Sequence, residues 1–218
     1  MQLTKKHASN LIFVAALFIF ISIASAISGD NALTQFDHTV SDALQHALPL
    51  DLLKIIAAFT HSGDGSTRTL LTIGVALWLA QRYRYTLMLS WCGAVAGNGA
   101  LNRLLKLMFQ RVRPPHEHGL IVETDWSFPS GHASGAMVAY GMLAFVLTRG
   151  VRPVWHAPIY CGATLLILAI GFSRVALQVH YFSDVIAGFA IGAVWLIACI
   201  QFYEWLNRKF QLKAARPR

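Results

Sequence analysis

The chain has 218 residues, 56% of them hydrophobic and only 13% charged, with a formal net charge of +8. That charged fraction is about half of what soluble domains carry, and the apolar residues are bunched into long runs, which argues against a single soluble core. The basic residues punctuate those runs instead of forming a stripe, so the positive charge reads as membrane orientation and not as a nucleic-acid surface.

Leu11 to Ser28 is the first apolar run and follows Lys5 and Lys6. As a helix it covers about 27 Å, close to the hydrocarbon thickness of a bilayer. Ala24-Ser25-Ala26 resembles a signal-peptidase site, but the run is long for a signal peptide and is read as a retained anchor. From Asn31 to Thr60 the pattern changes. Leu33, Phe36, Val40, Leu44 and Leu48 recur every three or four residues around Asp37, Asp42 and Gln45, which predicts amphipathic helices at the membrane interface. His61 to Thr67 is a polar loop containing two glycines.

Further spans are expected at about Thr69–Ala80, Thr86–Leu105, Ala133–Thr148, Ala157–Phe172 and Asp184–Leu206. The resulting expectation is one all-α domain, residues 1–218, built as a six-transmembrane-helix bundle with periplasmic interfacial helices. Its parts are a signal anchor or first span at 1–30, a periplasmic interfacial segment at 31–67 and a catalytic core at 68–218. Cys92, Cys161 and Cys199 lie far apart within apolar runs and read as small hydrophobes, not as a disulfide or metal site.

With a cytoplasmic N-terminus, eleven of the eighteen lysines and arginines fall on the inner side. The remaining seven are Lys54, Arg68, Arg103, Lys106, Arg111, Arg113 and Arg174. Most of these lie in or beside three short segments rich in groups that bind or attack phosphate. Lys106 to Pro114 leaves the third span, Pro129-Ser130-Gly131-His132 opens the fourth, and Ser173-Arg174, His180 and Asp184 join the fifth to the sixth. The topology brings all three to the outer face.

His180 and Asp184 are four apart, so on a helix they share a face, and the carboxylate can accept the Nδ1–H of the imidazole. That leaves Nε2 free as a nucleophile. Lys106, Arg113 and Arg174 supply positive charge for a phosphoryl group. Ser130 and Gly131 stand at a helix N-terminus, where backbone N–H groups bind anions. His132, on the first turn, is placed to protonate a leaving alkoxide.

Lys106-x6-Arg113-Pro114, Pro129-Ser-Gly-His132 and Ser173-Arg174-x5-His180-x3-Asp184 resemble the three-part signature of the type-2 phosphatidic acid phosphatase superfamily. The resemblance covers about Lys106 to Asp184 and extends only loosely to the N-terminal third. It implies His180 as nucleophile, Asp184 as its orienting partner and His132 as general acid, with Lys106, Arg113, Ser130, Gly131 and Arg174 holding the phosphate. It also implies catalysis without metal or other cofactor, and a membrane lipid phosphate as the bound partner, in the inner membrane with the site facing the periplasm.

Other polar residues carry less. His116 and His118 read as solvated loop residues, and Glu123 and Asp125 read first as a plain polar loop, with trimming of substrate choice near the pocket as the alternative. Arg103 and Arg111 divide evenly between a headgroup or second-phosphate contact and snorkelling to lipid, and Asn98 reads as a packing residue. The expected activity is hydrolysis of a lipid phosphomonoester or diphosphate. Undecaprenyl diphosphate, phosphatidate, phosphatidylglycerophosphate and lipid A phosphates remain open as substrates, and so does phosphotransfer to a lipid acceptor. A transporter is the distant alternative, disfavoured because the charges cluster at one end of the bundle.

Overall fold

The protein was analysed as a computed structural model that describes residues 2–115 and 119–214, without the side chains of 2–6, 45–46 and 211–214. His116 and His118 lie outside the described residues. The described chain is helical, with no strand. Its helices are α1 (Gln2–Ala26), α2 (Ala32–Ala47), α3 (Leu50–Thr60), α4 (Gly65–Gln81), α5 (Tyr85–Phe109), α6 (Gly131–Thr148), α7 (His156–Ala176) and α8 (Phe182–Ala214). Short 3₁₀ turns at His61–Gly63 and Pro153–Trp155 precede α4 and α7.

Four segments among the described residues are long and apolar enough to cross a membrane: His7–Ala26, Gly131–Thr148, Pro153–Ala176 and Phe182–Phe210. The chain is therefore a multi-pass helical membrane protein. α4 and α5, expected as two further spans, fall outside that group. α4 has 17 residues, and the second half of α5 carries Asn98, Asn102, Arg103 and Lys106. Large side chains such as Leu11, Phe18, Leu70 and Leu165 are exposed on the bundle's outside, as lipid-facing positions require.

The interior is drawn together by small residues. The first half of α6 is buried along Ala133, Ser134, Gly135, Ala136, Val138 and Ala139. α8 lies against it through Gly188 and Gly192. A Cβ at these positions would meet the Ser130 carbonyl oxygen at 2.7 Å and the Ser134 carbonyl oxygen at 2.9 Å. Small residues four apart give close backbone approach, which is how packing substitutes for hydrophobic driving force in lipid. Gly97 of α5 likewise leaves room for Trp195, whose indole N–H donates to the Ala94 carbonyl at 2.9 Å. At the opposite end, Leu79, Leu87, Trp91, Met142, Phe145 and Tyr203 form a closed apolar core.

The amphipathic region forms helices as the spacing predicts. Asn31 caps α2 by accepting from the Leu33 and Thr34 N–H groups at 2.9 and 3.2 Å, and Pro49 separates α2 from α3. α3 packs Leu53 and Ala57 on Leu177 and Val179, while Val40 and Leu44 of α2 pack near Val175 and Val185. Both helices thus cover the end of the bundle where α5 finishes, α6 begins and α7 turns into α8. That end gathers the three segments that hold Lys106 and Arg113, Ser130 to His132, and Arg174 to Asp184.

The α6–α8 approach yields a stability prediction. Gly188→Ala places a methyl against the backbone of α6 and should destabilise by about 1–3 kcal/mol, the usual cost of overpacking. Gly74→Ala, where an added Cβ meets nothing within 4 Å, should not. Thermal unfolding of the two variants in detergent separates them.

Candidate active site

His180 lies in the turn between α7 and α8, not on a helix, and only Asp184 stands on the first turn of α8. The pair is therefore not a helical i, i+4 contact as the spacing predicts. Nδ1 of His180 is 3.6 Å from Asp184 Oδ2, too far for a direct hydrogen bond. Ser127 fills the gap: its Oγ is 3.3 Å from His180 Nδ1 and donates to Asp184 Oδ2 at 2.5 Å. Asp184 Oδ2 also accepts the Tyr181 N–H at 3.0 Å.

The other imidazole nitrogen meets Arg113, whose Nη1 is 3.2 Å from Nε2. A guanidinium only donates, so Nε2 carries the lone pair and Nδ1 the proton. The relay His180 Nδ1–H, Ser127 Oγ–H, Asp184 carboxylate then has a single direction. His180 is 2% exposed. Burial pushes its pKa down to about 3, with Asp184 opposing and the Arg113 charge assisting.

His132, on the first turn of α6, pairs with a residue from outside the signature. Its Nε2 is 2.8 Å from Asp64 Oδ1, and Asp64 Oδ2 is 2.7 Å from His61 Nδ1. Burial raises the Asp64 pKa, but the two imidazoles outweigh this and hold its carboxyl below the ordinary range. Arg68 donates to the Gly131 carbonyl at 2.7 Å and lies over Gly135, where any Cβ would collide with the guanidinium.

A cavity of about 600 Å³ is lined by Asn98, Asn102, Arg103, Lys106, Arg113, Gly131, His132 and His180 among others. Asn98 is therefore a wall of the site as well as a neighbour of the packing glycine at 97. Ser130 is fully buried and caps α6, accepting from the Ala133 N–H at 3.4 Å. Arg174 is also fully buried. Its guanidinium donates to Thr60 Oγ1 at 3.1 Å and pairs with Glu123, and its Nε has no partner among the described residues.

Glu123 and Asp125 do more than trim the rim. Asp125 accepts from Lys106 at 2.7 Å and pairs with Arg113, while Glu123 lies 3.7 Å from Arg113 and pairs with Arg174. Arg111 is neither a headgroup contact nor a snorkelling side chain: it is buried between Asp184, at 2.6 Å, and Asp37 of α2, at 2.8 Å. Sequence reasoning missed Ser127, Asp64 and Asp37. Asp64 had a signal, an acid between glycines in a polar loop at the site's end of the bundle. Ser127 had none. Among the described residues no group of three His, Cys, Asp or Glu side chains is arranged to hold a metal ion.

The PAP2 superfamily model matches residues 87–208, so the chain belongs to the PAP2 superfamily, whose lipid phosphatases hydrolyse phosphate esters. It is 30% identical to phosphatidylglycerophosphatase B of Bacillus subtilis over 207 residues, covering 88% of this chain and 96% of that protein. A lipid A 1-phosphatase of Rhizobium etli is 32% identical over 223 positions, covering 91% and 88%. The crystal structure of the transmembrane PAP2-type phosphatidylglycerolphosphate phosphatase from Bacillus subtilis superposes with a TM-score of 0.82 at 28% identity, covering 88% of this chain and 96% of that one. Aquifex aeolicus LpxE shares the fold with a TM-score of 0.58 at 23% identity, over 79% of this chain and 97% of that one.

The depressed pKa of His180 has a checkable consequence. Its imidazole stays neutral well below the ordinary histidine value of about 6.5. Its ¹⁵N resonances in unliganded protein should not titrate between about pH 5 and 7, where an ordinary histidine does. NMR of ¹⁵N-histidine-labelled protein, assigned with His180→Gln, tests this.

Proposed function

We propose that the protein is a metal-independent lipid phosphate phosphatase in which His180 takes the phosphoryl group and water releases it. The observation that carries this reading is the His180 imidazole on the wall of a cationic cavity. Its Nδ1 is anchored through Ser127 to Asp184 and its Nε2 lies against Arg113, whose guanidinium passes from Nε2 to the phosphate as the nitrogen attacks. Nε2 forms a bond to phosphorus as the bond to the lipid oxygen breaks, and His132 gives that oxygen its proton. His132 then takes a proton from water, whose oxygen attacks phosphorus as the P–N bond breaks. Burial and the Arg174 charge disfavour a proton on His132 and Asp64 opposes them, so the proton His132 donates is one that Asp64 and the bound phosphate together must hold on it.

Lys106, Arg113 and Arg174, with Gly131 at the α6 N-terminus, hold the phosphate, and Ser130 shapes that terminus by capping it. The incoming phosphate displaces Glu123 and Asp125 from these cations. The unpartnered Nε of Arg174 supports this, since a buried donor in a site built for anions awaits an oxygen. The chain is one catalytic domain with α1, α4, α5, α6, α7 and α8 as its six spans, and α2 and α3 on the periplasmic face of the inner membrane. No nucleic acid takes part. The names of the relatives favour a phosphomonoester of a glycerolipid, with undecaprenyl diphosphate and lipid A phosphates as competing substrates.

Phosphate release from a panel of these lipids, by detergent-purified protein in EDTA, tests the reading. Wild type should release phosphate and His180→Ala should not. His132→Ala should lose about 10²–10⁴-fold in kcat, the usual contribution of a positioned acid–base group. Release by His180→Ala, or loss of wild-type activity in EDTA, would sink the mechanism. Label appearing in a second lipid instead of inorganic phosphate would mean phosphotransfer. Asp64→Asn should lower kcat more than KM, because it weakens the hold on charged His132 without touching the phosphate seat.

A further inference from the structure

Asp37 and Arg111 belong to neither the phosphate seat nor the reacting pair, yet both are held in the interior beside it. Asp37 is 1% exposed, and the Arg111 side chain is 10% exposed. Arg111 Nη1 donates to Asp184 Oδ1 at 2.6 Å and to Ser183 Oγ at 2.8 Å, and Nη2 donates to Asp37 Oδ2 at 2.8 Å. Its guanidinium also lies 4.3 Å from the centre of the Tyr181 ring. Asp37 in turn accepts the Ser183 N–H at 2.9 Å and the Ser183 hydroxyl. It therefore caps α8 from outside, serving an N–H group that the first turn of a helix leaves unpaired.

The neighbouring contacts keep α2 in this register. Phe36 meets Phe182 edge-on at 5.8 Å, His38 meets Tyr181 at 5.4 Å, and Gln178 Nε2 donates to the Ser41 carbonyl at 2.6 Å. α2 thus holds the whole 178–183 turn that carries His180. Arg111 does not line the cavity, unlike Lys106 and Arg113, and both carboxylates it pairs with are fully enclosed.

We infer that Asp37 and Arg111 are positioning residues that hold Asp184 and set the charge behind the His180 nucleophile. This rests on the phosphohistidine reading above. Two carboxylates and one guanidinium leave one net negative charge next to a neutral imidazole. When Nε2 bonds to phosphorus the imidazole becomes cationic, and that residual charge balances it. With Asp37 removed, Arg111 neutralises Asp184 and the balance is lost. With Arg111 removed, Asp184 loses one of the charges that stabilise its carboxylate and takes up a proton more readily, with the Asp37 carboxylate left without its guanidinium. The charged and titratable groups around Asp184 are His180 and Tyr181 of its own connection, Arg111 and Arg113 of the α5–α6 segment, and Asp37 and His38 of α2.

The test compares wild type, Asp37→Asn, Arg111→Gln and the double variant, with kcat expressed per phosphoenzyme formed in a single-turnover burst. That normalisation removes differences in folded yield. Each single variant should lose about 10–100-fold in kcat, as removal of an outer-shell partner commonly does, with KM within about twofold. Arg111→Gln should move the acid limb of the kcat profile to higher pH. The double variant should recover activity relative to Arg111→Gln, because the carboxylate left without its guanidinium is gone, a coupling that independent sites do not show. Additive losses with an unshifted pH profile would overturn the inference and leave a purely structural role. A raised KM at constant kcat in Arg111→Gln would overturn it in favour of a substrate contact. A wild type that forms no phosphohistidine overturns the functional reading itself, and that control is read before any variant.

Discussion

Four cationic side chains crowd one end of this helical bundle, and each is at least nine-tenths removed from solvent: Lys106, Arg111, Arg113 and Arg174. Taking an isolated charge out of water costs several kcal/mol even after relaxation, so none of them can be held there without a carboxylate. The partners are Asp125 for Lys106, Asp37 and Asp184 for Arg111, Asp125 and Glu123 for Arg113, and Glu123 for Arg174. This pairing shapes the rest of the molecule. It draws the chain between α5 and α6 back over the bundle, so that the Ser127 N–H donates to the Arg111 carbonyl at 2.8 Å. It also brings α2, through Asp37, down onto the start of α8.

The two sets of pairs differ in permanence. Asp37 and Asp184 are fully enclosed, whereas Asp125 keeps 54% and Glu123 25% of its side-chain surface open. The open carboxylates stand where an anion from outside would compete for the same cations. Lys106 and Arg113 hold the Asp125 carboxyl below its ordinary range against the burial that raises it, so it remains an anion, displaced by another anion instead of by protonation. Exchange of carboxylates for a phosphate leaves the local charge nearly balanced. A ligand without such charge would not displace the carboxylates, so on the proposed reading the pairing selects for an anion of comparable charge.

The chemical groups were legible in the chain because each sits in a short segment whose residue types have few other joint uses. Lys106, Arg113, Gly131, His132 and His180 line one cavity, while Ser130, Arg174 and Asp184, singled out with them, do not. What was hidden came from long-range pairing. Asp64 reaches His132 across 68 positions and Asp37 reaches Arg111 across 74, and no local pattern reports such partners. Ser127 was hidden for another reason. The separation of four between His180 and Asp184 suggested a shared helical face, but α8 starts only at Phe182, which turns the imidazole away and opens the gap that the serine hydroxyl fills. Gly188 and Gly192 were visible as small residues, while their closeness to the α6 backbone belongs to the folded state.

The two histidines show how one fold gives like side chains unlike partners. His180 is almost completely buried and takes a donor from Arg113 on Nε2, and both favour the neutral imidazole. His132 keeps 15% of its side chain open, and its carboxylate partner Asp64, 31% open, is shared with a second imidazole in place of a guanidinium. Asp64 thus has its negative charge available to His132 whenever that imidazole carries a proton, whereas Asp184 is already engaged by Arg111 and by the Ser127 hydroxyl. Burial disfavours a proton on both imidazoles all the same, so the two differ in their partners and not in their resting charge. They depend here on helices from the N-terminal third: α2 supplies Asp37, and the turn between α3 and α4 supplies Asp64. The segment least like the signature therefore completes the electrostatics of both histidines.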